Sequence, residues 1–168
     1  MSMIWTARLA NDDQVAAIKS EPESAGAFVN PESGSERELS EGAMVDLDQE
    51  WHGTHFMLTE AGEKYSKNLE LIFGDFEAVG PDNGYGPVHY ISADQIRRFH
   101  TEISSLTDKQ IAAVYDTDKM VEQYVHLAEM FAEDGDEGRK FLMTRIGQLR
   151  EFAKKGAENA SHAFSAIS

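Results

Sequence analysis

Two histidines three residues apart, His52 and His55, follow an indole and a run of carboxylates in the stretch Asp46-Leu47-Asp48-Gln49-Glu50-Trp51-His52-Gly53-Thr54-His55. These residue types can do chemistry. An imidazole titrates near neutrality and can act as general base or metal ligand, and a carboxylate one turn away, such as Asp48, can orient it. The spacing argues against the metal version. The familiar zinc helix places its histidines four apart with a glutamate beside the first, whereas positions three apart diverge by roughly 60° around the axis. The favoured reading is a half-buried His55 packed on Trp51, with His52 facing solvent or capping a neighbour.

A second group lies around the glycine-rich stretch 80–86, GPDNGYG: Tyr85 within it, then His89 and Tyr90. Glycines beside a proline can let a ligand approach the backbone, but the lysine-serine ending of a phosphate loop and the GxGxxG spacing are both absent. The stretch reads as a rigid turn that positions a strand. Trp51, His52, His55, Tyr85, His89 and Tyr90 nevertheless form one candidate pocket for a small-molecule or metal-dependent enzyme, with His55 or His89 as base or ligand. No Gly-x-Ser-x-Gly elbow is present, and Asp134-Gly135-Asp136 lacks the later ligands of a calcium loop, so it reads as a turn between helices. These patterns assign no catalytic residue, no metal and no cofactor.

Charge points elsewhere. The formal net charge is −15, and residues 1–63 hold 13 acids against Arg8, Lys19 and Arg37. Such a surface repels a phosphate backbone, which argues against nucleic acid, and it steers cationic partners. Glu36, Glu38, Glu41, Asp46, Asp48 and Glu50 are the candidate partner-binding acids, with Phe28 or Trp51 as apolar anchors. The expected function is a non-enzymatic acidic protein-binding module. Its sharpest form is an immunity-type protein that neutralises a bacterial toxin with a cationic domain. The absence of cysteine, of a long apolar span and of a signal-peptide pattern leads to the expectation of a cytoplasmic protein without membrane contact.

The elements that must position these residues read as an α+β domain, helix-rich, with a small sheet. Residues 3–9 and 87–91 read as strands, and 160–167 as a last one. Asn11 or Asp12 caps a helix to Lys19 with Val15, Ala16 and Ile18 inward. Asp46 with Gln49 matches a capping box opening a helix that Gly62 stops, and Ser66–Phe73 reads as a short helix stopped by Gly74. Ser92 with Gln95 and Thr107 with Gln110 repeat the capping box ahead of helices at 93–105 and 108–115. One helix is expected from Asp118 to about Ala132. Another runs to Lys155, with Leu142, Ile146, Leu149 and Ala153 as its stripe and Gly156 as its close. Residues 21–42 hold two of the four prolines, four serines and six glutamates, and read as a long, mobile acidic loop within a single domain spanning 1–168.

The stretches VDLDQEWHGTHFMLTE and GYGPVHYISADQI, with the Met-x-Met-Ile start, resemble the YfbM-like family of small bacterial proteins of unknown function. The resemblance extends over most of the chain. Ser2 and Thr54 depart from the family pattern, where a glycine and an aliphatic residue are more common, and the acidic loop looks peculiar to this chain. The family implies a small sheet flanked by helices in one α+β domain and no established activity.

Overall fold

Alternate residues of the first strand serve two different layers, and that division organises the chain. The computed structural model describes residues 3–60 and 66–168. In β1 (Trp5–Ala10), Trp5, Ala7 and Leu9 join the larger core and Ala10 the smaller one, as the two-residue period of a strand requires. β5 (His162–Ile167) lies beside β1 and divides in the same way, with Ala163 and Ile167 on the first face and Phe164 and Ala166 on the second. β2 (Met44–Asp46), β3 (Glu77–Val79) and β4 (Val88–Ile91) complete a five-stranded sheet in the order β2-β1-β5-β4-β3. Every pairing in it is antiparallel.

The larger face carries α4 (Trp51–Glu60), α5 (Ala93–Ser104) and α9 (Asp136–Glu158). The smaller face carries α1 (Asp12–Ser20) and α2 (Ala25–Val29) through Ile18, Ala25 and Val29. Short helices α3 (Glu36–Ser40), α6 (Asp108–Ala112), α7 (Thr117–Glu122) and α8 (Ala128–Asp134) fill the connections. Capping boxes open α1 at Asn11, α5 at Ser92 and α6 at Thr107, each satisfying two backbone donors reciprocally. The expected stripe of α9 holds: Leu142, Ile146, Leu149 and Ala153 are all fully buried. The helix-rich α+β architecture is therefore the one the periodicities imply.

Several expectations are corrected. The acidic segment 21–42 is not a plain loop, since it contains a 3₁₀ turn at Pro22–Ser24 together with α2 and α3. Phe28 meets Phe164 edge to face at 5.7 Å, and Arg8 reaches back from the sheet to donate to the Phe28 carbonyl at 2.9 Å and to Glu38. Few but well-placed apolar residues, rather than a periodic pattern, tie the segment down. Ala16 is exposed, and only Ile18 of the expected inner positions of α1 is buried. Residues 66–73 form one 3₁₀ turn, Lys67–Leu69, instead of a helix. Asp46 ends a strand rather than capping a helix, and α4 begins five residues later. Gly62, expected to stop α4, and the opening Met1-Ser2 lie outside the described residues.

The single helix expected over 118–132 is two, because α7 ends in a Schellman-type turn. The Val125 N–H donates to the Met120 carbonyl at 2.9 Å with Tyr124 left-handed at φ 56°. α9 runs past Gly156 and closes the same way, with Ala160 at φ 48° and the Ser161 N–H bonded to the Gly156 carbonyl. Gly156 is buried inside the helix, where a Cβ would come within 2.8 Å of the Ile96 side chain. Gly53 plays a similar part in α4: a Cβ there would meet the Phe131 ring at 2.8 Å and Leu142 at 3.1 Å.

Two glycine-to-alanine exchanges should therefore have opposite signs. Gly147, on the outer flank of α9, has open space where its Cβ would stand, so Gly147→Ala should stabilise by about 0.5–1 kcal/mol through helix propensity. Gly53→Ala should destabilise by about 1–2 kcal/mol, because overpacking against Phe131 outweighs the same gain. Urea unfolding midpoints at constant slope measure both.

Candidate functional site

One of the two edge strands of the sheet is β2, and its surroundings follow from local geometry. The Asp46 carboxylate accepts the Asp48 N–H at 2.7 Å, turning the chain at the end of the strand, and Asp48 takes φ 49°. The turn delivers Glu50 inward, where it is only 8% exposed. There Arg145 Nη2 donates to its carboxylate at 3.0 Å, while Arg145 Nη1 donates to the Asp46 carbonyl at 3.2 Å. Since the apolar stripe of α9 faces the core, Thr144, Arg145, Gly147, Gln148 and Glu151 emerge on its flank beside β2. α3 supplies the opposite wall through Leu39 and Ser40, with Glu41 just beyond its end. The result is a groove of about 800 Å³ with β2 along its floor.

The charge of this groove is one-sided. Arg145 is already matched by Glu50 in the wall. Four carboxylates remain: Glu41, Asp46, Asp48 and Glu151. Glu41 pairs with Arg37 at 2.8 Å and lies 3.9 Å from Lys155; the Arg37 guanidinium holds its carboxyl below the usual range. Among the described residues no cation lies within ion-pair distance of Asp46, Asp48 or Glu151.

Of the six acids expected to meet a partner, Glu41, Asp46 and Asp48 converge on this groove. Glu36 is exposed outside its lining, Glu38 is engaged by Arg8 at 2.9 Å, and Glu50 is a buried ion-pair partner rather than a steering charge. Neither expected anchor is free. Trp51 is 5% exposed with its indole N–H donating to the Met3 carbonyl at 2.8 Å, and Phe28 lies beneath Arg8 at 4.5 Å. The residues of α9 were not singled out from the sequence. The complement of its apolar stripe would have exposed Arg145, Gly147, Gln148 and Glu151 as a flank, but nothing in the pattern places that flank against β2.

The second candidate group does not assemble as one pocket. Trp51 stacks on His52 at 5.3 Å and on His126 at 5.7 Å, and Phe73 stands edge-on to Trp51, His52 and His55. His52 Nδ1 accepts the His126 backbone N–H at 3.0 Å, just after the α7 turn. Burial lowers the basicity of both histidines, taking His55 down to about 4 with a further push from His52. His89 instead faces Phe76, and Tyr85 sits in the 80–86 turn. Tyr90 points to the smaller face, where its hydroxyl donates to His162 Nδ1 at 2.7 Å. That nitrogen also accepts the Ala93 N–H, so the proton of the neutral ring sits on Nε2, facing Asp12. No hydrogen bond or ring contact among the described residues joins His89 or Tyr90 to the Trp51 stack. No three histidine or carboxylate side chains among them converge to hold a metal ion. His126, Phe73 and His162 carried no sequence signal, because each partner is distant in the chain.

The fold and groove define a helix-rich α+β protein with an acidic slot at one sheet edge. The chain belongs to the family described as a domain of unknown function, DUF1877, whose match spans residues 1–164. Its fold is similar to that of a protein of unknown function, YfbM from Escherichia coli, with a TM-score of 0.70, 13% identity and 99% of each chain covered. The YfbM-like resemblance is thereby shown, and at that identity the likeness is one of fold alone. No curated protein matches the chain significantly. Among the described residues, no helix is long and apolar enough to cross a membrane.

The depressed basicity of His55 sets a pH window. The folded state disfavours the charged ring, so its contribution is fully present above the ordinary histidine value of 6.5 and is lost as pH falls toward about 4. Between pH 7.5 and 4.5 this should remove about 2 kcal/mol of stability at roughly 1.4 kcal/mol per unit. His55→Phe should flatten that part of the urea-unfolding profile relative to the parent protein. An unchanged profile would show that the ring is solvated.

Proposed function

We propose that the protein is a non-enzymatic binding module whose edge groove receives a cationic segment of another protein. One observation carries the reading: Asp46, Asp48 and Glu151 line a groove of about 800 Å³, and no cation among the described residues lies within ion-pair distance of their carboxylates. Adjacent uncompensated carboxylates raise the local negative potential, and low-dielectric walls focus it, which favours lysine or arginine side chains. The overall charge of −15 supports the same sign of partner at long range. An immunity-type role, with a basic toxin domain as the partner, is the specific form of this reading. The histidine stack on this view is packing, not chemistry: its rings contact one another and Phe73, and its most buried member is a weak base.

A capped, fluorescein-labelled hexapeptide alternating lysine and valine tests the groove by anisotropy. Asp46→Asn, Asp48→Asn and Glu151→Gln together keep the side-chain shapes, and asparagine retains the acceptor of the Asp46 turn. This triple variant should bind at least tenfold more weakly. Neutralising Glu122, Glu129 and Glu133, exposed elsewhere, should leave affinity within about twofold, although the net charge changes equally. Gly147→Trp, which places an indole in the open slot, should also abolish binding. Equal losses from both triple variants would reduce the effect to bulk charge and overturn the reading.

A further inference from the structure

The conformation of the bound segment follows from the free side of β2, and it rests on the groove reading above. In an antiparallel pair, successive residues direct their backbone groups alternately toward and away from the neighbour. Leu9 N–H reaches the Ala43 carbonyl at 2.9 Å and Leu47 N–H the Trp5 carbonyl at 3.0 Å, with Val45 opposite Ala7 between them. The Ala43 carbonyl and positions 45 and 47 are therefore turned to β1, the Ala43 N–H going instead to the Glu38 carbonyl of α3, and Met44 and Asp46 are turned to the open edge. Among the described residues only the Asp46 carbonyl finds a partner there, the Arg145 guanidinium. The Met44 N–H, the Met44 carbonyl and the Asp46 N–H have none.

We infer that the groove takes its cationic segment as an added β-strand, paired to Met44 and Asp46 along the free edge of β2. The walls fit that occupant. α9 packs on the side of Val45 and α3 on the side of Arg8, so the slot has a wall on each face of the sheet, and it is closed at the start of β2, where Gly42 lies against the Glu151 backbone. An added strand lies about 4.8 Å from its neighbour and alternates its side chains between the two walls. The α9 wall bears Glu151 and the end of β2 bears Asp46 and Asp48, while Glu41, beside α3, is already paired with Arg37. A lysine or arginine entering the groove thus meets Glu151 on the α9 side or Asp46 and Asp48 at the strand end. Three residues of β2 span about 10 Å, so three or four partner residues fill the slot.

The same charges select against a second copy of this chain. Two such edges pairing with each other would bring Asp46 and Asp48 of both copies together, and like charges across a strand pair are destabilising. Acidic residues on an exposed edge also blunt indiscriminate strand addition. The edge therefore favours a basic strand over its own kind and over neutral ones.

The lysine–valine hexapeptide distinguishes this mode from simple charge attraction. Two analogues carry backbone N-methyl groups, one on every lysine and one on every valine, with charge and side chains unchanged. Only one of the two sets of amides faces β2 in an added strand. One analogue should lose at least tenfold in affinity while the other stays within about threefold of the parent. Amide hydrogen exchange at Met44 and Asp46 should slow at least tenfold on saturation with the parent peptide. Equal affinity of all three peptides, or equal losses in both analogues, with the groove triple variant still weakening the parent, would overturn strand addition and leave the acidic groove standing. Binding that ignores the groove substitutions, or no binding at all, would overturn both.

Discussion

A buried ion pair between side chains 95 residues apart, Arg145 and Glu50, holds the sheet edge to the longest helix. Both side chains are largely removed from solvent, at 16% and 11% exposure. In such a place each charge tolerates burial only because the other is there; removing one partner of a buried pair costs about 3–5 kcal/mol through the charge left behind. Arg145 also donates to the Asp46 carbonyl and to Gln148, so one guanidinium fixes the end of β2, the entry to α4 and the flank of α9. The electrostatic consequence matters as much as the mechanical one. With Arg145 cancelled by Glu50, the carboxylates around it set the sign of the groove.

Close backbone approaches carry this arrangement into the rest of the larger core. α4 can lie against α8 and α9 because Gly53 offers no side chain to Phe131 and Leu142, and α9 approaches β1 and α5 at Gly156 for the same reason. Arg150, one turn beyond Arg145 on the same helix, donates to the carbonyls of Ile103 and Leu106 and so receives the end of α5. The Schellman-type corner after α7 is likewise held from outside, since the next backbone donor, on His126, is accepted by His52. The histidine and tryptophan rings are in this sense part of a joint. The weak basicity of His52 and His55 is a consequence of burial in that joint.

Several local signatures in the sequence are matched by the structure, although the Asp46–Gln49 capping pattern and the helix stop at Gly156 are not. The cap at Asn11, the capping boxes at Ser92 and Thr107, the alternation in β1 and the stripe of α9 each depend on residues within a few positions of one another. What was not legible depends on distance or on conformation without a characteristic residue. Tyr124 and Ala160 end helices in the left-handed region, where a glycine would have announced the stop. The 21–42 segment looked unstructured because its acids outnumber its apolar residues, yet Ala25, Phe28 and Val29 suffice when Arg8 and Phe164 stand opposite them. Half of the groove was foreshadowed by the acidic cluster at Glu41, Asp46 and Asp48. Its other wall belongs to α9, about 100 residues away, as does the Arg145 that makes Glu50 an interior residue. Trp51 and His55 share a helix, but it is His52 that stacks on the indole while His55 packs edge-on against Phe73, and His89 and Tyr90 diverge to opposite faces of β4, as adjacent residues of a strand must.

The central claim is that this molecule works through the slot between β2, α3 and α9, and not through its aromatic surface, where Phe73 and Tyr124 are 43% and 90% exposed. Backbone-amide chemical-shift mapping of isotope-labelled protein titrated with the lysine–valine peptide addresses it most directly. The account expects the saturable shifts to concentrate in residues 39–48 and 144–151. Shifts centred on Phe73, Tyr124 and His126, with the β2 edge unmoved, would contradict it.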